Sequence, residues 1–247
     1  EGITGYGSSY NVDYVEYLKP FLVGENPLCV ERLWEKMYVP KFLGKRSIST
    51  RSISALDIAL WDIRSKAANI PLYQLLGGYR EAVPCYIAGG YYGEGKGIVE
   101  LQKEMEEYLS WGIKNVKMKV GVLSMKEDAA RVKAVRDVIG EDVRLMVDAN
   151  CAYRSYEAIE LSKRIAEYHP YWFEEPVMSD DYEGMFEFAA KSPIPLATGE
   201  NEYTCYGFRD LMDRSRPAIH NPDAGSLGGI TEFMKIAAYA HSKNIAL

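Results

Sequence analysis

Charged side chains recur at near-even steps through the second half of this 247-residue chain. Lys117 and Lys119 come first, followed by Asp148, Glu174 or Glu175, Glu200 and Asp223; counted from Lys119 through Glu174, the steps are 29, 26, 26 and 23 residues. Each closes or follows a short apolar run: KNVKMKV, VRLMVDA, YWFEEP, IPLATGE and PAIHNPD. One carboxylate at a strand end is explained as well by helix capping as by chemistry. Three that converge, with no histidine or thiol among them, make a hard-oxygen site suited to Mg²⁺ or Mn²⁺ rather than zinc. On a strand, Lys117 and Lys119 point to one face and Met118 to the other. Two ammonium groups inside a barrel, near a cation, depress each other's pKa, and a lysine brought toward neutrality can act as a general base. The alternative is a solvated lysine face on an edge strand.

These residues need elements that bring them together. From Ala82 onward, short apolar runs alternate with amphipathic helix patterns, giving six strand–helix units and a seventh apolar start, NIAL. That rhythm predicts βαβ units on a parallel sheet. An open doubly wound sheet would spread the strand-end carboxylates along an edge, whereas a TIM-type (β/α) barrel gathers them in a ring at its mouth. Convergence favours an α/β barrel, incomplete here, because the 166 residues from Ala82 to Leu247 are too few for eight units of this spacing. Residues 1–80 have another character. A strand-and-turn segment is expected at GITGYGSS, then helical stretches at NVDYVEYLKPFLVG and PLCVERLWEKMYVPKF. A longer helix is expected at SISALDIALWDIRSKAAN, where Ile53, Leu56, Ala59, Leu60 and Ile63 form a buried stripe. Gly77-Gly78 marks a turn, so the expected domains are 1–80 and 81–247.

Composition narrows the function. Lys and Arg number 29 against 35 Asp and Glu, a net charge of −6 that argues against a nucleic-acid-binding face or a polybasic membrane patch. No apolar run approaches the roughly 20 residues that a bilayer-spanning helix needs. Cys29, Cys85, Cys151 and Cys205 form no CxxC pair and are expected to be free thiols in a reducing cytoplasm. His169, His220 and His241 are too few for a His-rich metal site and are expected to be structural or surface residues. The loop Gly90–Gly97, GYYGEGKG, imitates a phosphate loop. However, Gly97 stands where a metal-binding hydroxyl belongs and Glu94 sits among the phosphate-facing positions, which weighs against a nucleotide binder.

Lys117-Met118-Lys119, Val147-Asp148-Ala149-Asn150, Phe173-Glu174-Glu175-Pro176, Thr198-Gly199-Glu200-Asn201 and Asn221-Pro222-Asp223-Ala224-Gly225 stand in one order and register. Together they resemble the enolase superfamily, in its mandelate racemase/muconate lactonizing enzyme family and mandelate-racemase-like, acid-sugar dehydratase-like subgroup. ALDIALWDIRSKAANIPLYQLLGG is similar to the end of that family's α+β capping domain. The resemblance implies Asp148, Glu174 and Glu200 as Mg²⁺ ligands, Lys119 as catalytic base and Lys117 as its electrostatic helper. It implies that Asp223 orients a histidine a few residues past Leu247. The implied reaction is Mg²⁺-dependent abstraction of a proton alpha to a carboxylate through an enediolate, leading to dehydration of a sugar acid to a 2-keto-3-deoxy acid. Racemisation or epimerisation of a 2-hydroxy acid is the alternative, and a non-catalytic barrel homologue a further one. Asn150 and Asn201, with Tyr91 and Tyr92 of the Gly-rich loop, are expected substrate contacts. A small carboxylate substrate and a homo-oligomer are also implied. A barrel of six and a half units leaves strand edges unpaired, so the chain is expected to be a fragment that would not fold alone as a stable monomer.

Overall fold

The computed structural model describes residues 2–38 and 47–247. Helices α1 (Val15–Leu18), α2 (Val30–Tyr38), α3 (Ile48–Ala68) and α4 (Leu72–Leu75) make up the first layer. Pro20 cuts the first expected helix short, and the chain passes into a 3₁₀ turn at Lys19–Phe21. Positions 39–42 of the second expected helical stretch lie outside the described residues. Helix α3 ends at Asn69, a left-handed cap with φ 55°, two residues before Pro71.

The expected strand at GITGYGSS does not form. Residues 2–9 run instead as an extended segment against α3, where the Tyr6 amide donates to Asp62 Oδ2 at 2.8 Å. Gly5 and Gly7 permit this approach: a Cβ at either would lie 2.1 Å and 1.9 Å from the carbonyl oxygens of Ala59 and Ala55. With its glycines against a helix, the segment has no strand to pair with.

The second layer is a six-stranded, all-parallel sheet of β1 (Ile87–Gly89), β2 (Asn115–Lys119), β3 (Arg144–Asp148), β4 (Phe173–Glu174), β5 (Leu196–Thr198) and β6 (Ile219–His220). The strands lie in sequence order, as in a barrel; a doubly wound sheet would reverse direction at a switch point. The crossovers are α5 (Ile98–Ser110), α6 (Met125–Ile139), α7 (Ser155–Ile165), α8 (Tyr182–Lys191) and α9 (Thr204–Ser215), and α10 (Gly229–Ser242) follows β6. Successive helices pack side by side. Ala246 forms a parallel bridge with Ile219, so the seventh apolar start lies beside β6.

Alternation along the strands separates core from site. Val116, Met118, Leu145, Val147 and Phe173 pack into one hydrophobic core with Leu101, Met105, Val132, Val135 and Phe188 of the helices. Lys117, Lys119, Asp148 and Glu174 occupy the opposite face. A second core, with Leu18, Leu33, Trp34, Met37, Ile53 and Trp61, fills the helical layer. The layers join where α3 meets the start of α10. Asp57 accepts from the Thr231 amide at 2.9 Å and hydroxyl at 2.6 Å, Trp61 Nε1 donates to Thr231 Oγ1 at 2.9 Å, and Trp34 Nε1 donates to the Gly228 carbonyl at 2.7 Å.

Candidate active site

Strand register determines which charges meet. Lys119 pairs with Asp148 across β2 and β3, and Asp148 pairs with Glu174 across β3 and β4, placing the three in one row at the carboxyl ends of the strands. The Lys117 ammonium lies 2.7 Å from Glu174 Oε1 and 3.0 Å from Asp148 Oδ2. Lys119 Nζ is 2.6 Å from Asp148 Oδ2 and also donates to Asn150 Oδ1. Asn150 returns its amide group to Glu200 Oε1 at 3.0 Å, while its backbone N–H donates to Asp148 Oδ1 at 3.0 Å. Trp172 Nε1 holds the other Glu174 oxygen at 3.1 Å.

Asp148 and Glu174 are fully buried, and their environment governs their protonation. Burial, then the negative charge of Asp148, pushes the Glu174 carboxyl above its ordinary range against the pull of Lys117, with Glu200 adding to the push. The depression expected of the lysine pair beside a cation is opposed at Lys117 by its carboxylate partners. Burial alone would lower its pKa, but Glu174 and Asp148 outweigh burial and raise it.

Backbone strain gathers in the same loops. Asn150, Cys151 and Glu175 have positive φ of 41°, 65° and 40°, a conformation that non-glycine residues seldom adopt and that concentrates at functional sites. Glu175 is turned away from Lys117. It is buried, and both its oxygens accept from Asn201 Nδ2, at 2.9 and 2.8 Å. Burial pushes its carboxyl up to about 7, and Cys151, whose thiol reaches the same carboxylate at 3.5 Å, is pushed up to about 12.

The remaining expected residues separate. Tyr91 is half-exposed, with its ring centroid 5.6 Å from Lys119 Nζ. The Tyr92 hydroxyl, expected to meet substrate, instead donates to Asp128 at 2.5 Å, and burial with this bond raises its pKa. Asn201 is likewise engaged by Glu175 rather than facing Lys119. Asp223 stands apart from the row and shapes the loop after β6, accepting from the Gly225 amide at 2.8 Å and Ser226 Oγ at 2.9 Å. His220 is a core residue: its Nδ1 faces the Thr198 carbonyl at 2.9 Å, its ring packs edge-on to Phe208, and burial lowers its pKa to about 4. The phosphate-loop imitation is closed by an ion pair, Lys96 to Glu104 at 2.7 Å.

Among the described residues, no three Asp, Glu, His or Cys side chains stand together as a ready-made cation site. The lysines account for this, since Lys117 draws in Asp148 and Glu174 while Asn150 holds Glu200. In donor chemistry the three carboxylates fit a hard divalent ion. All offer carboxylate oxygens at successive strand ends, and the raised Glu174 reflects the charges of Asp148 and Glu200 beside it. Glu104 and Asp128 escaped the sequence-based expectations, because a polar residue on an amphipathic helix carries no mark of burial.

The comparisons agree with this geometry. Residues 100–247 match the family described as Enolase C-terminal domain-like, and residues 1–77 match Mandelate racemase / muconate lactonizing enzyme, N-terminal domain. The chain belongs to the mandelate racemase/muconate lactonizing enzyme family of the enolase superfamily. It is 39% identical over 249 residues to arabinonate dehydratase of Saccharolobus solfataricus, covering 97% of this chain and 67% of that protein. The crystal structure of 3,6-anhydro-D-galactonate cycloisomerase from Zobellia galactanivorans superposes with a TM-score of 0.92 at 38% identity, covering 98% of this chain and 70% of that one. L-talarate dehydratase from Polaromonas sp. JS666, crystallised with Mg and L-glucarate, gives a TM-score of 0.91 at 34% identity, covering 98% and 70%.

Proposed function

We propose that this protein is an Mg²⁺-dependent dehydratase of a sugar acid, with Lys119 as the base that removes the proton alpha to the substrate carboxylate. The observation that carries the reading is the row Lys119–Asp148–Glu174 at adjacent strand ends, with a buried lysine beneath it. Support comes from relatives named for arabinonate, talarate and galactonate dehydration and from a relative crystallised with Mg and L-glucarate. In this reading residues 1–80 are the capping domain and 81–247 the barrel.

Asp148, Glu174 and Glu200 would hold the divalent ion, which when bound polarises the substrate carboxylate and stabilises the negative charge that develops on it. Lys117 would share Asp148 and Glu174 with that ion. It supplies fixed positive charge in the buried floor, and Lys119 is partly exposed. Lys119 takes the α-proton; the C–O bond at the β-carbon then breaks, the hydroxyl leaves with a proton as water, and the enol product becomes the 2-keto-3-deoxy acid. Asp223 is proposed to orient the acid that protonates the departing hydroxyl. Asn150, which links Lys119 to Glu200, is proposed to position both. Four free cysteines support a reducing cytoplasm, and family resemblance supports an assembly of like subunits. Among the described residues no helix is long and apolar enough to cross a membrane.

The likeness to a cycloisomerase favours a second reading, proton transfer without loss of water. A panel of sugar acids incubated with the protein and Mg²⁺ in D₂O tests both. A 2-keto-3-deoxy acid product is expected. An isomer carrying α-deuterium, with no keto acid, selects the second reading, and inertness toward every acid removes both.

A further inference from the structure

The loop between β1 and α5 has two anchors, one half-buried and one fully buried, that the reaction does not use. On one side Glu104 of α5 accepts from the Gly90 amide at 3.1 Å and pairs with Lys96. On the other stands Asp128 of α6, wholly buried, although it lies on a helix whose other acids are surface residues. Its oxygens accept from the Tyr92 hydroxyl at 2.5 Å, the Gly121 amide at 2.8 Å and the Tyr153 hydroxyl at 3.2 Å. One carboxylate therefore ties together the loops that follow β1, β2 and β3, the strands carrying Lys119 and Asp148. Arg131, one turn further along α6, completes the anchor. Its guanidinium donates to the Gly90 carbonyl at 2.7 Å and stacks over the Tyr92 ring at 4.2 Å. Gly90 has φ +61°, and a Cβ there would stand 2.7 Å from that of Met118, so the loop leaves the strand in a path that only glycine fits.

Gly90 and Tyr92 are thus gripped on both sides of Tyr91, whose half-exposed ring is left beside Lys119 at 5.6 Å. We propose that Asp128 and Arg131 are positioning residues that hold Tyr91 as the wall of the site at Lys119, where its ring contacts the carbon chain of the substrate and contributes to the choice of acid. The inference rests on the proposed function for the identity of the substrate but not for the anchoring itself. Neither residue touches the reacting atoms; both act through Tyr91.

Steady-state kinetics of Tyr92→Phe, Asp128→Asn, Tyr91→Ala and the Tyr91→Ala/Asp128→Asn pair test it, together with amide hydrogen exchange over residues 90–97. Tyr92→Phe removes the bond to Asp128, and a long 3.5 Å one from the Val122 amide, at constant shape, and serves where Asp128→Asn does not fold. Loss of a bond to a charged partner should raise KM about tenfold, with kcat moving far less, and speed exchange in the loop. In the Tyr91→Ala background Asp128→Asn should add nothing to KM, because its lever is gone. Effects that multiply in the pair, or loop exchange unchanged in Tyr92→Phe, overturn the inference. A wild-type protein inert toward all sugar acids overturns the proposed function instead, and the exchange measurement then decides the anchoring alone.

Discussion

The mouth of the sheet and the seam between the two layers both bury carboxylates but neutralise them differently. At the mouth, Asp148 and Glu174 face the ammonium groups of Lys117 and Lys119. At the seam, the donors to Asp57 among the described residues are neutral: the Thr231 amide and hydroxyl, with the Ile230 amide beside them at the start of α10. Burial therefore pushes the Asp57 carboxyl up to about 6, because hydrogen bonds compensate only part of the cost. The contrast separates two tasks. A seam needs a fixed contact, and neutral donors at a helix start provide one. A site that exchanges protons and holds a cation needs charges that can be rearranged, so it contains more charge than packing alone would justify.

The largest expected effect is at Lys119. Lys119→Ala should lower kcat by about 10²- to 10⁴-fold, the range of a lost general base, with little change in Tm. Next comes Lys117→Met, which leaves two buried carboxylates facing each other; it should destabilise the protein by about 3–5 kcal/mol in urea unfolding. Added Mg²⁺ should restore more stability to this variant than to the wild type, because a divalent charge replaces the missing ammonium.

The seam provides the smaller, pH-dependent effect. Asp57 titrates near 6 when folded and near 3.8 when unfolded, so between these values the folded state holds the extra proton. Its contribution is greatest at acid pH and is lost as pH rises through 6, the reverse of a salt-bridged aspartate. The stability of wild type relative to Asp57→Asn should fall from pH 4 to pH 7 by at most about 3 kcal/mol. A difference that grows with pH would show that Asp57 is answered by a positive charge.

Much of the mouth was legible in the sequence. Strand alternation placed Lys117 and Lys119 on one face, and the even spacing of Asp148, Glu174 and Glu200 marked strand ends of a barrel. What escaped was everything fixed by distance in space rather than along the chain. Asp57 and Thr231 are 174 residues apart, and nothing in ALDIALWDIR distinguishes a buried Asp57 from the exposed partner of Tyr6, Asp62. GITGYGSS was misjudged for a related reason, since alternating glycines suit a turn as well as an extended chain pressed against a helix. What alternation could not give was the distance from Lys117 to Glu174 and Asp148, which sets its charge balance.

The central claim, that Asp148, Glu174 and Glu200 share one divalent ion opposite Lys119, is tested most directly by calorimetric titration of Mg²⁺ into wild type and Glu200→Gln, which alters the carboxylate that Asn150 holds. The account predicts one ion bound per chain and at least about tenfold weaker binding in Glu200→Gln. Unchanged affinity in that variant would contradict it.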